Sequence, residues 1–82
     1  MKVRLGYPDR IVEVDDRTVR VFRGRLVSAP LSEVVSYYLR GDGLLPPAVR
    51  EIARDIVGVL LRTGELKGEY QGITEQVHGL SR

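Results

Sequence analysis

The segment Pro46-Pro47-Ala48-Val49-Arg50-Glu51-Ile52-Ala53-Arg54-Asp55-Ile56-Val57-Gly58-Val59-Leu60-Leu61-Arg62 carries the strongest periodic signal in the chain. Pro47 suits the first turn of a helix, where its missing N–H removes no intrahelical bond. Thr63-Gly64 supplies the stop, with Gly64 fitted to a left-handed cap. Val49, Ile52, Ala53, Ile56, Val59, Leu60 and Thr63 recur at three- and four-residue steps and define one apolar face. Val57 and Leu61 add a second apolar strip, while Arg50, Glu51, Arg54, Asp55 and Arg62 mark the solvated side. The spacing predicts one long helix whose apolar arc is wider than a single small sheet covers. Such a helix is either the central rod of the domain or the seat of a second copy.

Working outward, Lys2 to Tyr7 alternates as a half-buried strand does, and Gly6-Tyr7-Pro8-Asp9 reads as a turn. Arg10–Val14 and Thr18–Phe22 predict a hairpin about Asp16-Arg17. Its register sets Val14 opposite Val19 and Val12 opposite Val21 on one face, with Glu13 opposite Arg20 and Ile11 opposite Phe22 on the other. Gly24 marks a bend or bulge, after which Leu26 and Val27 resume the strand. Ser28-Ala29-Pro30 predicts a helix start, with Ser28 as cap and Pro30 in the first turn. Leu31, Val34, Val35, Tyr38 and Leu39 then share a helical face that ends at Gly41. Beyond Gly64 the pattern is compatible with a short C-terminal strand, an arm or a loose tail. The fold class expected is α+β: a three-stranded antiparallel β-meander followed by two helices, the second long and central.

The 82 residues are expected to form one domain, 1–82, with 73–82 as a loosely ordered tail. A chain of this size buries only about 60–65% of the surface its unfolded form exposes, so oligomerisation is an attractive source of added stability. The absence of cysteine excludes disulfides and thiolate metal sites. Lacking Asn and Trp, and using Arg eleven times against Lys twice, the composition is thermophile-like. A GC-rich genome produces the same bias. Lys2 and Arg4 lead into a strand pattern rather than an apolar h-region, and no apolar run approaches the roughly 20 residues of a membrane span. A cytoplasmic protein with no membrane segment is the expectation.

Catalytic constellations are sparse. His78 is the sole histidine and has no orienting partner nearby in sequence. Asp15-Asp16 fits a hairpin turn better than a metal site, since no third ligand is close. Arg40-Gly41-Asp42 matches an integrin-type tripeptide, but Gly41 already serves as a helix cap. Gly41-Asp42-Gly43 lacks the further glycine and Lys-Ser/Thr of a phosphate loop. No enzyme activity, cofactor, metal or small-molecule substrate is expected.

Two binding surfaces stand out. The first is apolar: Val57, Gly58 and Leu61 on the long helix, with Ile11 and Phe22 on the sheet, predict a homo-oligomer or protein-partner contact. The second is basic. Net charge is only +2, yet Arg17, Arg20, Arg23 and Arg25 occur within nine residues that hold no acid. With Phe22 beside them, they could grip a nucleic-acid backbone and stack a base. The low overall charge argues against a dedicated nucleic-acid binder, so self-association is the leading expectation.

Residues Ile56-Val57-Gly58-Val59-Leu60-Leu61-Arg62-Thr63-Gly64-Glu65-Leu66-Lys67-Gly68-Glu69-Tyr70-Gln71-Gly72-Ile73 resemble the last helix and wing of winged-helix domains. The resemblance implies that Arg50 and Arg54 lie on the wet face of a recognition helix and Lys67 in a wing. The β-meander in front departs from the winged-helix order.

Overall fold

A computed structural model describes residues 2–41 and 43–65. Four strands come first, β1 (Lys2–Gly6), β2 (Ile11–Asp15), β3 (Thr18–Phe22) and β4 (Leu26–Pro30). They form one antiparallel meander in the order β1-β2-β3-β4. Helices α1 (Leu31–Arg40), α2 (Pro47–Arg50) and α3 (Ala53–Thr63) follow. The α+β class is as expected; the strand count and the helix layout are not.

The β2–β3 hairpin has the register read from the sequence, Ile11↔Phe22, Val12↔Val21, Glu13↔Arg20 and Val14↔Val19. Alternation then sorts every strand into two faces. Val12, Val14, Val19, Val21 and Ala29 point to the helices and are buried, joined by half-buried Val3, Leu5 and Val27. From the helical side Leu31, Val34, Val35, Val49, Ile52 and Ile56 close the core. Among the described residues helices cover only this face, and the opposite face of the sheet has none on it.

The fourth strand is the first correction. Gly24 takes φ 76°, a left-handed conformation that a side chain resists. Arg23 N–H donates to the Arg25 carbonyl at 3.1 Å, so the chain reverses here and runs back beside β3. Ser28 lies opposite Arg20 within β4 and caps nothing. Helix α1 begins only at Leu31, with Pro30 in its N-cap position and no side-chain cap. The physical reason is register: Val27 and Ala29 fall opposite Val21 and Val19 and extend the buried valine face, a gain that outweighs one capping bond. Pro30 ends the strand on the sheet edge, where a missing N–H is tolerated.

The long helix is the second correction. Ile52 leaves helical geometry at φ −116° and ψ 7°, separating α2 from α3. Its N–H still donates to the Val49 carbonyl at 3.1 Å, and its carbonyl accepts from Ile56 N–H at 3.0 Å. The bend aims the two pieces at different neighbours, α2 at β3 and β4, and α3 at α1. Pro47 does occupy the first turn of α2. Gly64, at φ 69°, caps α3 in the left-handed conformation. The expected C-terminal strand or arm, the 73–82 tail, His78, Lys67 and Asp42 lie outside the described residues. No described helix is long and apolar enough to cross a membrane.

Candidate interaction surfaces

The open face of the sheet carries three cross-strand rows. At one end stand Gly6, Ile11, Phe22 and Leu26; in the middle Arg4, Glu13, Arg20 and Ser28; at the far end Lys2, Asp15, Thr18 and Pro30. Ile11, Phe22 and Leu26 are 45%, 39% and 54% exposed, so the first row is an apolar stripe in contact with solvent. The sequence reading found Ile11 and Phe22. It missed Leu26, because without β4 there was no register to bring Leu26 beside Phe22.

The helical residues expected at an interface divide. Val57 is fully buried inside the single subunit, so it cannot touch a partner while the fold is intact. Leu61 is half-buried and packs against the same core. The cause is the way the two helices pack: α1 lies alongside α3, and Val57 and Leu61 join a core to which both contribute. Gly58 differs from both: among the described residues nothing lies within 4 Å of a Cβ built there.

Two of the four arginines of the basic hairpin have carboxylate partners. Asp15 Oδ1 accepts the backbone N–H groups of Arg17 and Thr18, both at 2.8 Å, and its Oδ2 accepts Arg20 at 2.7 Å. Asp9 Oδ2 lies 3.7 Å from Arg23 Nε. Among the described residues no ion pair holds Arg17 or Arg25. Asp15 thus shapes the turn rather than presenting a metal ligand. Among the described residues no cluster of three or more His, Asp or Glu is arranged to hold a metal ion.

Sequence reasoning also passed over Arg10. Its side chain is only 10% exposed and lies between two carboxylates, donating to Asp9 at 3.0 Å and to Glu51 at 3.0 Å. The guanidinium stands 5.9 Å from the centre of the Tyr7 ring, within cation–π range. Both hydrogen bonds, that to Asp9 first, raise the Arg10 pKa further. Glu51 sits at the α2–α3 bend, so this contact ties the β1–β2 turn to the helical joint. No local sequence signal announces a partner 41 positions away.

The Asp15 carboxyl is lowered from 3.8 to about 2, first by the hydrogen bond from Arg20, then by the two backbone N–H groups. A carboxyl depressed in the folded state stabilises it above the unfolded pKa, and that contribution fades as pH falls through the folded one. Asp15→Asn should therefore melt below the wild type at pH 7. The gap in Tm should narrow between about pH 4 and pH 2, followed by circular dichroism at stepped pH. A gap that stays constant across this window would show that the charge on Asp15 is irrelevant to stability.

A second surface lies on the helical side. Edge strand β1 and helix α3 enclose a groove of about 640 Å³, lined by Arg4, Leu5 and Gly6 on one wall and Arg54, Gly58 and Arg62 on the other. At one end Tyr7 donates to Asp55 Oδ2 at 2.9 Å. Burial, followed by this bond, pushes the Tyr7 pKa up to about 12.

No family model, no curated protein and no solved structure matches this chain.

Proposed function

We propose that this chain is a non-enzymatic, cytoplasmic interaction module that self-associates through the open face of its sheet. The observation that carries this reading is the apolar row Ile11–Phe22–Leu26, aligned across three strands and partly exposed. Fully burying a large apolar side chain contributes roughly 1.5–3 kcal/mol. These three are already partly covered, so the row alone supports a modest affinity. A two-fold arrangement adds to it, because the same patch then serves on both copies. The middle row alternates in sign, Arg4, Glu13, Arg20, so Glu13 of one copy can meet an arginine of the other.

Nucleic-acid binding through Arg17, Arg20, Arg23 and Arg25 around Phe22 is the competing use of this face. Asp15 and Asp9 already engage two of the four arginines, and Glu13 stands between Arg4 and Arg20. A phosphate backbone would meet these carboxylates as well as the guanidinium groups.

Light scattering at tens of micromolar protein should give a mass of two chains, and Phe22→Glu should reduce it to one without lowering Tm by more than a few degrees. A wild-type monomer at that concentration rejects the reading. Salt-sensitive retention of an oligonucleotide, lost on replacing Arg20 and Arg23 while the mass is unchanged, would favour the nucleic-acid use instead.

A further inference from the structure

We propose that the groove between β1 and α3 receives an extended acidic peptide from another protein, added as a strand to the free edge of β1. Three features of the groove converge on this occupant. Among the described residues β1 pairs only with β2, so alternate N–H and C=O groups along its outer edge have no described strand beside them and can accept a further one. Leu5, Val59 and Gly58 are the apolar part of the groove lining, and among the described residues nothing lies within 4 Å of a Cβ built at Gly58. The rim is cationic: Arg54 and Arg62 are exposed, and among the described residues neither makes an ion pair. The one carboxylate lining the groove, Asp55, is engaged by the Tyr7 hydroxyl.

Spacing makes the match specific. Arg54, Gly58 and Arg62 follow one another at four-residue steps and so lie on one stripe of α3. Eight residues of helix separate the two arginines by ~12 Å along the axis. Four residues of extended strand span ~13 Å, and residues i, i+2 and i+4 point to one side. A peptide reading Glu-x-Φ-x-Glu, where Φ is aliphatic, would place its acids at Arg54 and Arg62 and Φ over Gly58. Main-chain bonds to β1 would supply affinity and the alternate side chains specificity, as in other strand additions. A second copy is a poorer occupant, because pairing β1 with itself crowds Lys2 and Arg4 against their counterparts. The groove does not depend on self-association: Phe22 lies on the opposite face of the sheet.

Fluorescence anisotropy with the full chain and the labelled peptide GSETVTEGS at low salt tests this directly. Saturable binding is expected, weakened about tenfold or more by Arg54→Glu and by Arg62→Glu, each of which removes a charge-assisted contact. Gly58→Leu should fill the floor and abolish binding while its Tm stays at or above that of the wild type, since leucine favours helix over glycine. Phe22→Glu should bind as the wild type does, so failure of the sheet-face reading remains separable from failure here. The isomeric peptide GSTEEVTGS, or one with proline in place of the central valine, should bind much more weakly. Equal binding by either peptide would overturn strand addition. So would undetectable binding of GSETVTEGS at millimolar concentration, or its displacement at lower concentration by a ten-nucleotide oligothymidine than by unlabelled peptide.

Discussion

Val57→Asp is expected to unfold the chain rather than to release it from a partner. Val57 has no solvent exposure and belongs to the core that residues of α1 and α3 share. A domain of this length is held by about 4–12 kcal/mol in total, at 0.05–0.15 kcal/mol per residue. The substitution removes roughly 1.5–3 kcal/mol of apolar burial. Desolvating a carboxylate with no counter-charge in the core adds several kcal/mol more. The sum is comparable to the whole stability, so far-ultraviolet circular dichroism at 25 °C should show a largely unfolded chain. Leu61→Asp is the informative companion. Leu61 is half-buried at the rim of the core, where the new carboxylate can reach water. It should stay folded, with a loss of about 1–2 kcal/mol in urea titration. A Val57→Asp protein that remained folded and merely changed its mass would contradict the burial of Val57 in the core.

Why Val57 looked like surface explains much of what the sequence conceals. Periodicity locates an apolar strip, but the number of neighbours that strip meets is a tertiary quantity. A three-stranded sheet backed by two helices, the second one long and unbroken, leaves Val57 facing outward. A bend at Ile52 and the flanking α1 turn the same strip inward. The bend has no proline or glycine to betray it; Ile52 is set at φ −116°, and the residue is buried. By contrast, the β2–β3 register was legible because two valines alternate on each strand and a one-residue slip would expose all four. The helix ends were legible because Gly41 and Gly64 act locally. Of the apolar row, Ile11 and Phe22 followed from that hairpin alone. Leu26 and the Arg54–Gly58–Arg62 groove required knowing where β4 and β1 lie in three dimensions. Arg17, Arg20, Arg23 and Arg25 read as a free basic ribbon only while Asp15 and Asp9 were treated as turn residues and nothing more.

The junction misread as a capped helix start carries the other large effect. Leu31→Ala should destabilise the fold by about 2–5 kcal/mol, the range for deleting a fully buried leucine. Leu31 follows β4 with no loop between strand and helix. Its N–H donates to the Arg17 carbonyl at 2.8 Å, fastening the start of α1 to the β2–β3 turn. That backbone bond survives the substitution, so what is lost is the side chain, wholly sealed in the core. Because β4 and α1 are joined rigidly, neither can shift to refill the space without disturbing the other. The cost should therefore fall in the upper part of the range, where cavities collapse least. At roughly 4–8 °C per kcal/mol for a domain of this size, Tm should drop by at least about 10 °C. Leu44→Ala supplies the reference, since Leu44 is 98% exposed and its removal should change stability by less than about 0.5 kcal/mol. If Leu31→Ala melted within a degree or two of Leu44→Ala, the strand–helix junction would not be the clamp that this geometry makes it.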